Sequence, residues 1–477
     1  MKDMSYLAVM GRKNDIMKQA VGLDYSIFEY GKIAFDYEKM MASVGYSIED
    51  IIKIQKKAKV GGTPLVELKN ITALVRKYSK EGKGARIFVK DEAANASGSF
   101  KARRAAISVY HAKKMGYKGV IAATSGNYGA AVASQAAQLG LKCIIVQEVF
   151  DSKKIGQPEI LEKTRKCEAL GAEVIQLTVG PELFYTFLKL LEETGYFNAS
   201  LYTPFGIAGV ESLGYELANQ MMEMEGKYPD VVVATHAGGG NLTGTKRGLN
   251  LAGAKDTKII GASVDLSGLH MASDHAFNKK SFTTGHTGFG VPFATWPDRS
   301  DVPRNAARVL RYMDRYVTVT QGEVFYVTEA LAQVEGIERG PAGNTSLAAA
   351  ISIAKEMDED QIIVVQETEY TGAGKHPMPQ LTFAKQNGIE IRRGNPKENV
   401  PGKNIVIPWN IGDIKSNDLD IDRLKNNFIK NAVVNNKLKE IGEEDIAYLM
   451  EEVNKDRAFV VKRLEELEVK IIDKATV

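Results

Sequence analysis

From about residue 85 the chain alternates short apolar runs with segments whose apolar residues return at helical spacing. Ile87-Phe88-Val89 reads as a strand, and a helix follows from Lys101 to Met115. Gly119 to Ala123 is the next strand, with a helix from Tyr128 to Leu139 that stops at Gly140. Lys142 to Val146 is a third strand, and a helix from Ile155 to Leu170 stops at Gly171 before the strand Glu173 to Leu177. Glycine just past a helix is its usual left-handed stop. A second series follows: Val231 to Ala234, Lys258 to Gly261, Tyr316 to Val319 and Gln361 to Val365, with a helical pattern from Ser346 to Met357. Strands that are apolar on both faces, with helices between them, predict open parallel sheets covered on both sides.

The expected fold class is therefore α/β, with two open parallel-sheet domains and a ligand in the cleft between them. The reading gives a helical N-terminal extension over 1–60 and a first α/β domain over 85–225. A second α/β domain is made of 61–84 and 226–395, and a C-terminal extension covers 396–477. The N-terminal part carries Tyr25, Tyr30, Tyr37 and Tyr46; the C-terminal part places Ile429, Val433, Leu438 and Ile441 among charged residues. Either extension could pack on the body or on a partner subunit. The stretch from Leu266 to Asn305 breaks the α/β rhythm and reads as a long functional loop or cap.

Charge changes the picture little. Lys+Arg number 62 against Asp+Glu 59, a formal net charge of +3, which gives no electrostatic case for nucleic acid or an anionic membrane. Only Cys143 and Cys167 occur, far too few for a disulfide framework. Met1 to Tyr6 begin no long apolar stretch, and a soluble protein of the reducing cytoplasm is expected. Cys143 reads as strand core and Cys167 as part of a helix, both structural. His270, His275 and His286 share the long loop but match no zinc spacing, so no metal is expected.

The chemistry gathers around one lysine. Lys101 closes Asn95-Ala96-Ser97-Gly98-Ser99-Phe100 and opens the predicted helix, with Ser97 or Ser99 available as its cap. The positive end of the helix dipole disfavours an ammonium there, so the amine's pKa should fall. A lysine that readily loses its proton suits Schiff-base chemistry. Thr124-Ser125-Gly126-Asn127-Tyr128-Gly129 lies between a strand and a helix, at the sheet edge where ligands bind. Asn127 offers both a donor and an acceptor, and would serve equally as a helix cap.

Gly238-Gly239-Gly240-Asn241 follows another strand and precedes a helix capped by Asn241 or Thr243. Consecutive glycines let backbone N–H groups approach an anion, and the helix N-terminus adds a favourable field. The loop lacks the spacing of dinucleotide sites and the terminal Lys-Ser/Thr of a P-loop, so one compact phosphate is the better fit. Glu367 to Lys375 follows the last strong strand, and a hydroxyl there could meet a neutral heterocyclic nitrogen. Gly61-Gly62-Thr63-Pro64-Leu65 reads as a rigid structural lead into the body. Amine, phosphate loop, ring-contacting Asn and hydroxyl are together what pyridoxal 5'-phosphate requires.

On Ser99-Phe100-Lys101, Ser125-Gly126-Asn127, Gly238 to Asn241 and Thr371-Gly372-Ala373-Gly374, in that order, the chain resembles the fold-type II pyridoxal-phosphate enzymes. That group includes threonine synthase, cysteine synthase and diaminopropionate ammonia-lyase; the resemblance covers roughly residues 60 to 380. It implies that Lys101 is the catalytic residue and holds the cofactor as a Schiff base. It further implies that Asn127 bonds the ring hydroxyl and that Gly238, Gly239, Gly240 and Asn241 hold the phosphate. Thr371 would face the pyridine nitrogen, with Thr368 as the alternative. A hydroxyl there leaves the nitrogen unprotonated and favours elimination or replacement over transamination.

His236, the Gly285 to Gly290 stretch and the two extensions are not typical of cysteine synthases. In length and in these segments the chain is similar to a branch of the family, the β subunits of the 2-amino-4-oxopentanoate thiolases of ornithine degradation. That resemblance implies an acyltransferase using coenzyme A as co-substrate, a small companion α subunit and a homodimer of the β subunit. Acyl transfer would then go directly to coenzyme A or through a residue of the companion, with the loop histidines as candidate bases or oxyanion donors. An elimination or replacement enzyme with the same cofactor is the alternative reading, and a non-catalytic cofactor-bound scaffold is the second.

Overall fold

The apolar runs of the second series assemble into one sheet. The computed structural model describes residues 2–124, 126–151, 153–266, 281–283, 294–296, 298, 301–370 and 377–472. The large sheet has seven strands, ordered β1 (Leu65–Glu67), β2 (Arg86–Asp91), β10 (Ile362–Glu367), β7 (Val231–Thr235), β8 (Lys258–Val264), β9 (Arg315–Val319) and β13 (Asn417–Asp418). Its inner pairs are parallel and its edge strands β1 and β13 run antiparallel. Every residue of β10 is buried, as expected for a central strand covered on both faces. The smaller sheet is wholly parallel, ordered β5 (Glu173–Thr178), β4 (Lys142–Phe150), β3 (Gly119–Thr124) and β6 (Phe197–Asn198).

One strand lies elsewhere than its sequence position suggests. Ile87-Phe88-Val89, read as the start of the 85–225 domain, belongs to β2 and pairs with β1 and β10 in the large sheet. Ile87 and Val89 pack into that sheet's core with Val233, Ile363 and Val365. The chain thus crosses to the small sheet after β2. The C-terminal extension also reaches the large sheet, through β13 at its far edge.

The two sheets are tied by three helices: α6 (Lys101–Lys114), α10 (Pro204–Glu225) and α11 (Gly240–Leu251). Helix α10 packs against both others. A methyl group built on Gly209 would lie 2.3 Å from the Arg103 carbonyl oxygen of α6, and one on Gly214 would lie 1.9 Å from the Thr245 carbonyl oxygen of α11. Only glycine permits backbones to approach this closely. The helix that begins at Lys101 and the helix that follows the glycine loop are held at fixed separation by one long helix.

Both extensions pack on this body. Arg12 grips Glu192 at 2.9 and 2.6 Å, and Gln55 donates to the carbonyls of Arg103 and Gly209 at 3.0 and 2.7 Å. From the C-terminal side, Asp445 accepts from the backbone of Ile33 and Ala34, both at 2.9 Å, joining the two extensions. Ile429 and Val433 are buried in the helix Ile421–Asn435. Among the described residues no helix is long and apolar enough to cross a membrane.

Candidate active site

Lys101 opens α6 without a side-chain cap. The hydroxyls of Ser97 and Ser99 are buried without a partner, because the preceding backbone is used otherwise. Ser99 bridges Glu369 in antiparallel fashion. Phe100 N–H donates to the Thr368 carbonyl at 3.0 Å, and Tyr370 N–H to the Gly98 carbonyl at 2.8 Å. The lysine loop is therefore tied by an isolated antiparallel bridge to the segment leaving β10. This clamp, rather than a serine cap, fixes where the lysine emerges.

The amine lies 3.9 Å from a Glu369 carboxylate oxygen, and Lys163 reaches the other oxygen at 4.0 Å. Lys163 also pairs with Glu159 one helical turn earlier. Its stem crosses the Asn127 loop: a methyl on Gly126 would sit 2.4 Å from Lys163 Cδ. Burial pushes the Lys101 ammonium down to about 8; Glu369 opposes this, while Lys163 and Arg104 reinforce it. The expected direction holds, but burial is the first cause. Burial also raises the Glu159 carboxyl, with Lys163 pulling the other way. Glu367, one residue beyond Gln366 in β10, is buried with both oxygens unpartnered, and burial together with Asp91 pushes its pKa well up.

Asn127 is the first residue of α7 (Asn127–Leu139) rather than its cap, which is Gly126. Its side chain is buried and its Nδ2 has no partner, leaving a donor free for a ligand. Gly239 precedes α11 at φ +81° and takes the cap position expected of Asn241 or Thr243. The Asn241 amide is turned inward, donating to the Thr235 carbonyl at 2.7 Å and Gln366 at 3.3 Å, so towards an anion this residue offers its backbone. A methyl on Gly238 would lie 1.8 Å from the Tyr202 hydroxyl, and one on Gly240 2.3 Å from Arg104 Nη2. A side chain at either position would displace Tyr202 or Arg104 from the loop, and the loop's first-turn amides have no intrahelical acceptor.

His236 lies beneath the loop with its ring 5.0 Å from that of Tyr316. Burial pushes it down to about 3 and both ring nitrogens lack partners, so it is neutral. Thr368 is buried where the lysine loop joins. Thr371, Ser125, the Gly285–Gly290 stretch and His270, His275 and His286 lie outside the described residues.

The structure links Lys101 through Glu369 and Lys163 to the Gly126–Asn127 turn, and Arg104, on the helix that Lys101 opens, reaches the Gly238–Asn241 loop beside Tyr202; Glu369, Glu159, Lys163, Tyr202 and Arg104 are residues that sequence reasoning missed. Only Arg104 left a signal, as the second of two adjacent arginines in an alanine-rich helix. The lead Gly61-Gly62-Thr63 is structural as expected. Thr63 donates to Glu92 at 2.6 Å, and Glu92 grips Arg103 at 2.7 and 2.8 Å, anchoring α6 two residues beyond the lysine. A free amide donor, a glycine cradle and an amine held near neutral together fit pyridoxal phosphate.

Comparisons with known proteins agree. The chain is 69% identical over 466 residues to the 2-amino-4-ketopentanoate thiolase beta subunit of Acetoanaerobium sticklandii, covering 98% of this chain and 99% of that one. A threonine synthase of a Bacillus species is 26% identical over 61% of this chain and 76% of its own length. Among solved structures, the threonine deaminase of T.th. superposes with a TM-score of 0.51 at 26% identity, covering 68% of this chain and 97% of that one. A pyridoxal 5'-phosphate-dependent aspartate racemase gives 0.54 at 19%, covering 70% and 98%, a likeness of fold. The model of the family described as "Pyridoxal-phosphate dependent enzyme" matches residues 57–369, and the chain belongs to that family.

Proposed function

We propose that this chain is the pyridoxal-phosphate-carrying subunit of a thiolase that cleaves 2-amino-4-oxopentanoate with coenzyme A, giving acetyl-CoA and alanine, as in ornithine breakdown. The observation that carries this reading is the 69% identity to a named thiolase β subunit over 98% of the chain. The match runs through both terminal extensions and not only the shared cofactor-binding body at 57–369. The designation of that relative as a β subunit supports a companion α subunit here. A homodimer of this chain and a cytoplasmic setting, suited to its two free cysteines, complete the proposal.

Bound pyridoxal phosphate supplies an electron sink for charge developing at the amino-bearing carbon and its neighbour. Lys101, with its pKa near 8, would hold the cofactor and, once the substrate's amine displaces it, would take the proton from the amino-bearing carbon. Asn127 Nδ2 would donate to the ring hydroxyl, and the Gly238–Asn241 amides would hold the phosphate. Thr371, or Thr368, would be the hydroxyl for the ring nitrogen. The thiolate of coenzyme A attacks the C4 carbonyl, the C3–C4 bond breaks, and C3 takes up a proton. Neither thiol of this chain carries the acyl group: burial pushes Cys143 and Cys167 each up to about 12, so a thiolate is scarce at either. Acyl transfer is direct to coenzyme A or passes through the companion subunit.

The test is to combine the purified chain with its companion, 2-amino-4-oxopentanoate and coenzyme A, and to quantify acetyl-CoA and alanine. Equimolar formation of both, requiring both subunits, is expected. Turnover of 2,3-diaminopropionate or phosphohomoserine without coenzyme A, in place of that reaction, overturns it in favour of an elimination or replacement enzyme.

A further inference from the structure

Two adjacent arginines of α6 are buried with opposite surroundings. Arg103 is fully buried and meets Glu92 twice and Glu216 at 3.2 Å. Arg104 is 3% exposed, yet no carboxylate lies within ion-pair distance of it among the described residues. Among the described residues its side chain makes one hydrogen bond, from Nη1 to the Leu201 carbonyl at 3.2 Å, and its buried Nε has no partner. The guanidinium covers the ring of Phe100 at 5.2 Å. Its Nη2 lies so close to Gly240 that a methyl there would be 2.3 Å away. A guanidinium stripped of water without a counter-ion is costly, and the cost is relieved when an anion arrives. The nearest backbone donors are the unpaired first-turn amides of α11, where the helix dipole also favours negative charge. Tyr202, whose hydroxyl abuts Gly238, completes the ring of groups around the loop.

We propose that Arg104 is the counter-ion of the cofactor's phosphate, a charged fork added to the backbone cradle of Gly238–Asn241. Arg104 lies three residues beyond Lys101 on the same helix face, so one helix holds both the amine and the phosphate's counter-charge. The chain then selects a phosphorylated aldehyde over its unphosphorylated form, and binds the phosphate as a dianion. This inference rests on the cleft being the cofactor site.

The experiment uses apoprotein of wild type, Arg104→Met and Arg104→Lys, titrated separately with pyridoxal phosphate and with pyridoxal. Arg104→Met is expected to weaken pyridoxal phosphate about ten- to hundredfold, the worth of one charge-assisted contact, and to leave pyridoxal within about twofold. Arg104→Lys, which keeps charge but not the fork, should fall between. The phosphorus resonance of bound cofactor should titrate at higher pH in Arg104→Met than in wild type. Without ligand, Arg104→Met should melt no lower than wild type, since it removes a buried charge that has no partner. Equal weakening of both aldehydes, or of neither, overturns the proposal. So does an effect confined to the KM of the amino acid, which would make the anion the substrate's carboxylate. Should Arg104→Met fail to fold, an unaltered phosphate affinity in Arg104→Lys overturns it equally. Wild type that binds neither aldehyde would refute the cofactor site itself, a distinct outcome.

Discussion

The pKa of Lys101 makes a quantitative demand on how the apoprotein takes up its cofactor. Only the free amine attacks an aldehyde. Burial holds Lys101 near 8, where an ordinary lysine titrates near 10.5. At pH 7 about one-tenth of the protein then carries a free amine, against roughly three in ten thousand for an exposed lysine, an advantage of about three-hundredfold. The sign follows directly: uptake should rise about tenfold for each step of one in pH below 8 and level off above it. Glu369, the strongest group opposing burial, holds the proton on, so Glu369→Gln should move the midpoint to lower pH. The assay is stopped-flow absorbance of apoprotein mixed with pyridoxal phosphate from pH 6 to 10. A small amine run at each pH corrects for titration of the aldehyde. A rate still climbing tenfold per unit of pH at 10, or a midpoint unmoved in Glu369→Gln, would refute burial as the cause of the lysine's reactivity.

Removing one partner of the buried Arg103–Glu92–Glu216 cluster should be severe. Arg103→Met leaves Glu92 without its ion-pair partner and Glu216 with Lys90 alone, and should cost about 3–5 kcal/mol, read from denaturant unfolding of the apoprotein. The neighbouring Arg104→Met, by contrast, should cost nothing in the same experiment. For the cysteines, the double change Cys143→Ala and Cys167→Ala should leave acetyl-CoA formation within about threefold and lower stability by roughly 1–2 kcal/mol for the lost packing. A loss of activity above a hundredfold in a folded double variant would assign one of them to acyl transfer.

The sheets were legible because their strands are buried on both faces, and an apolar run with helices on either side has few other fates. Strand ends were less so. Strand β4 continues through Gln147 and Glu148 to Phe150, because β3 pairs with it as far as Gln147 and β5 as far as Phe150, whatever side chains it carries. The assignment of β2 to the large sheet depended on β10, some 270 residues further on, which local pattern cannot reveal. The cap of α6 failed for a related reason. Ser99 has the right chemistry for a cap, but its backbone is held extended against Glu369, so its hydroxyl is not placed to accept from the first turn. Glycines and the lysine stood out because their roles are carried by backbone geometry and by one amine. Glu369, Lys163 and Tyr202 did not, since each becomes part of the cleft only through contacts between distant segments.

In the proposed site the two elements that would hold the cofactor are positioned by α10, the helix packed against both. An amine at the start of α6 and a phosphate bound at the start of α11 would have to be separated by the length of one small molecule, and an error of an ångström in either would spoil the geometry. Neither helix touches the other's sheet in a way that sets this distance. Helix α10 does, because Gly209 seats it on the backbone of α6 and Gly214 on that of α11, leaving no side chain between them to adopt another rotamer. Side-chain contacts flex, whereas backbone seated on backbone has almost nowhere to go. A residue with a Cβ at Gly209 or Gly214 would push the two helices apart, so the cleft is gauged from behind by two glycines buried far from the chemistry they position.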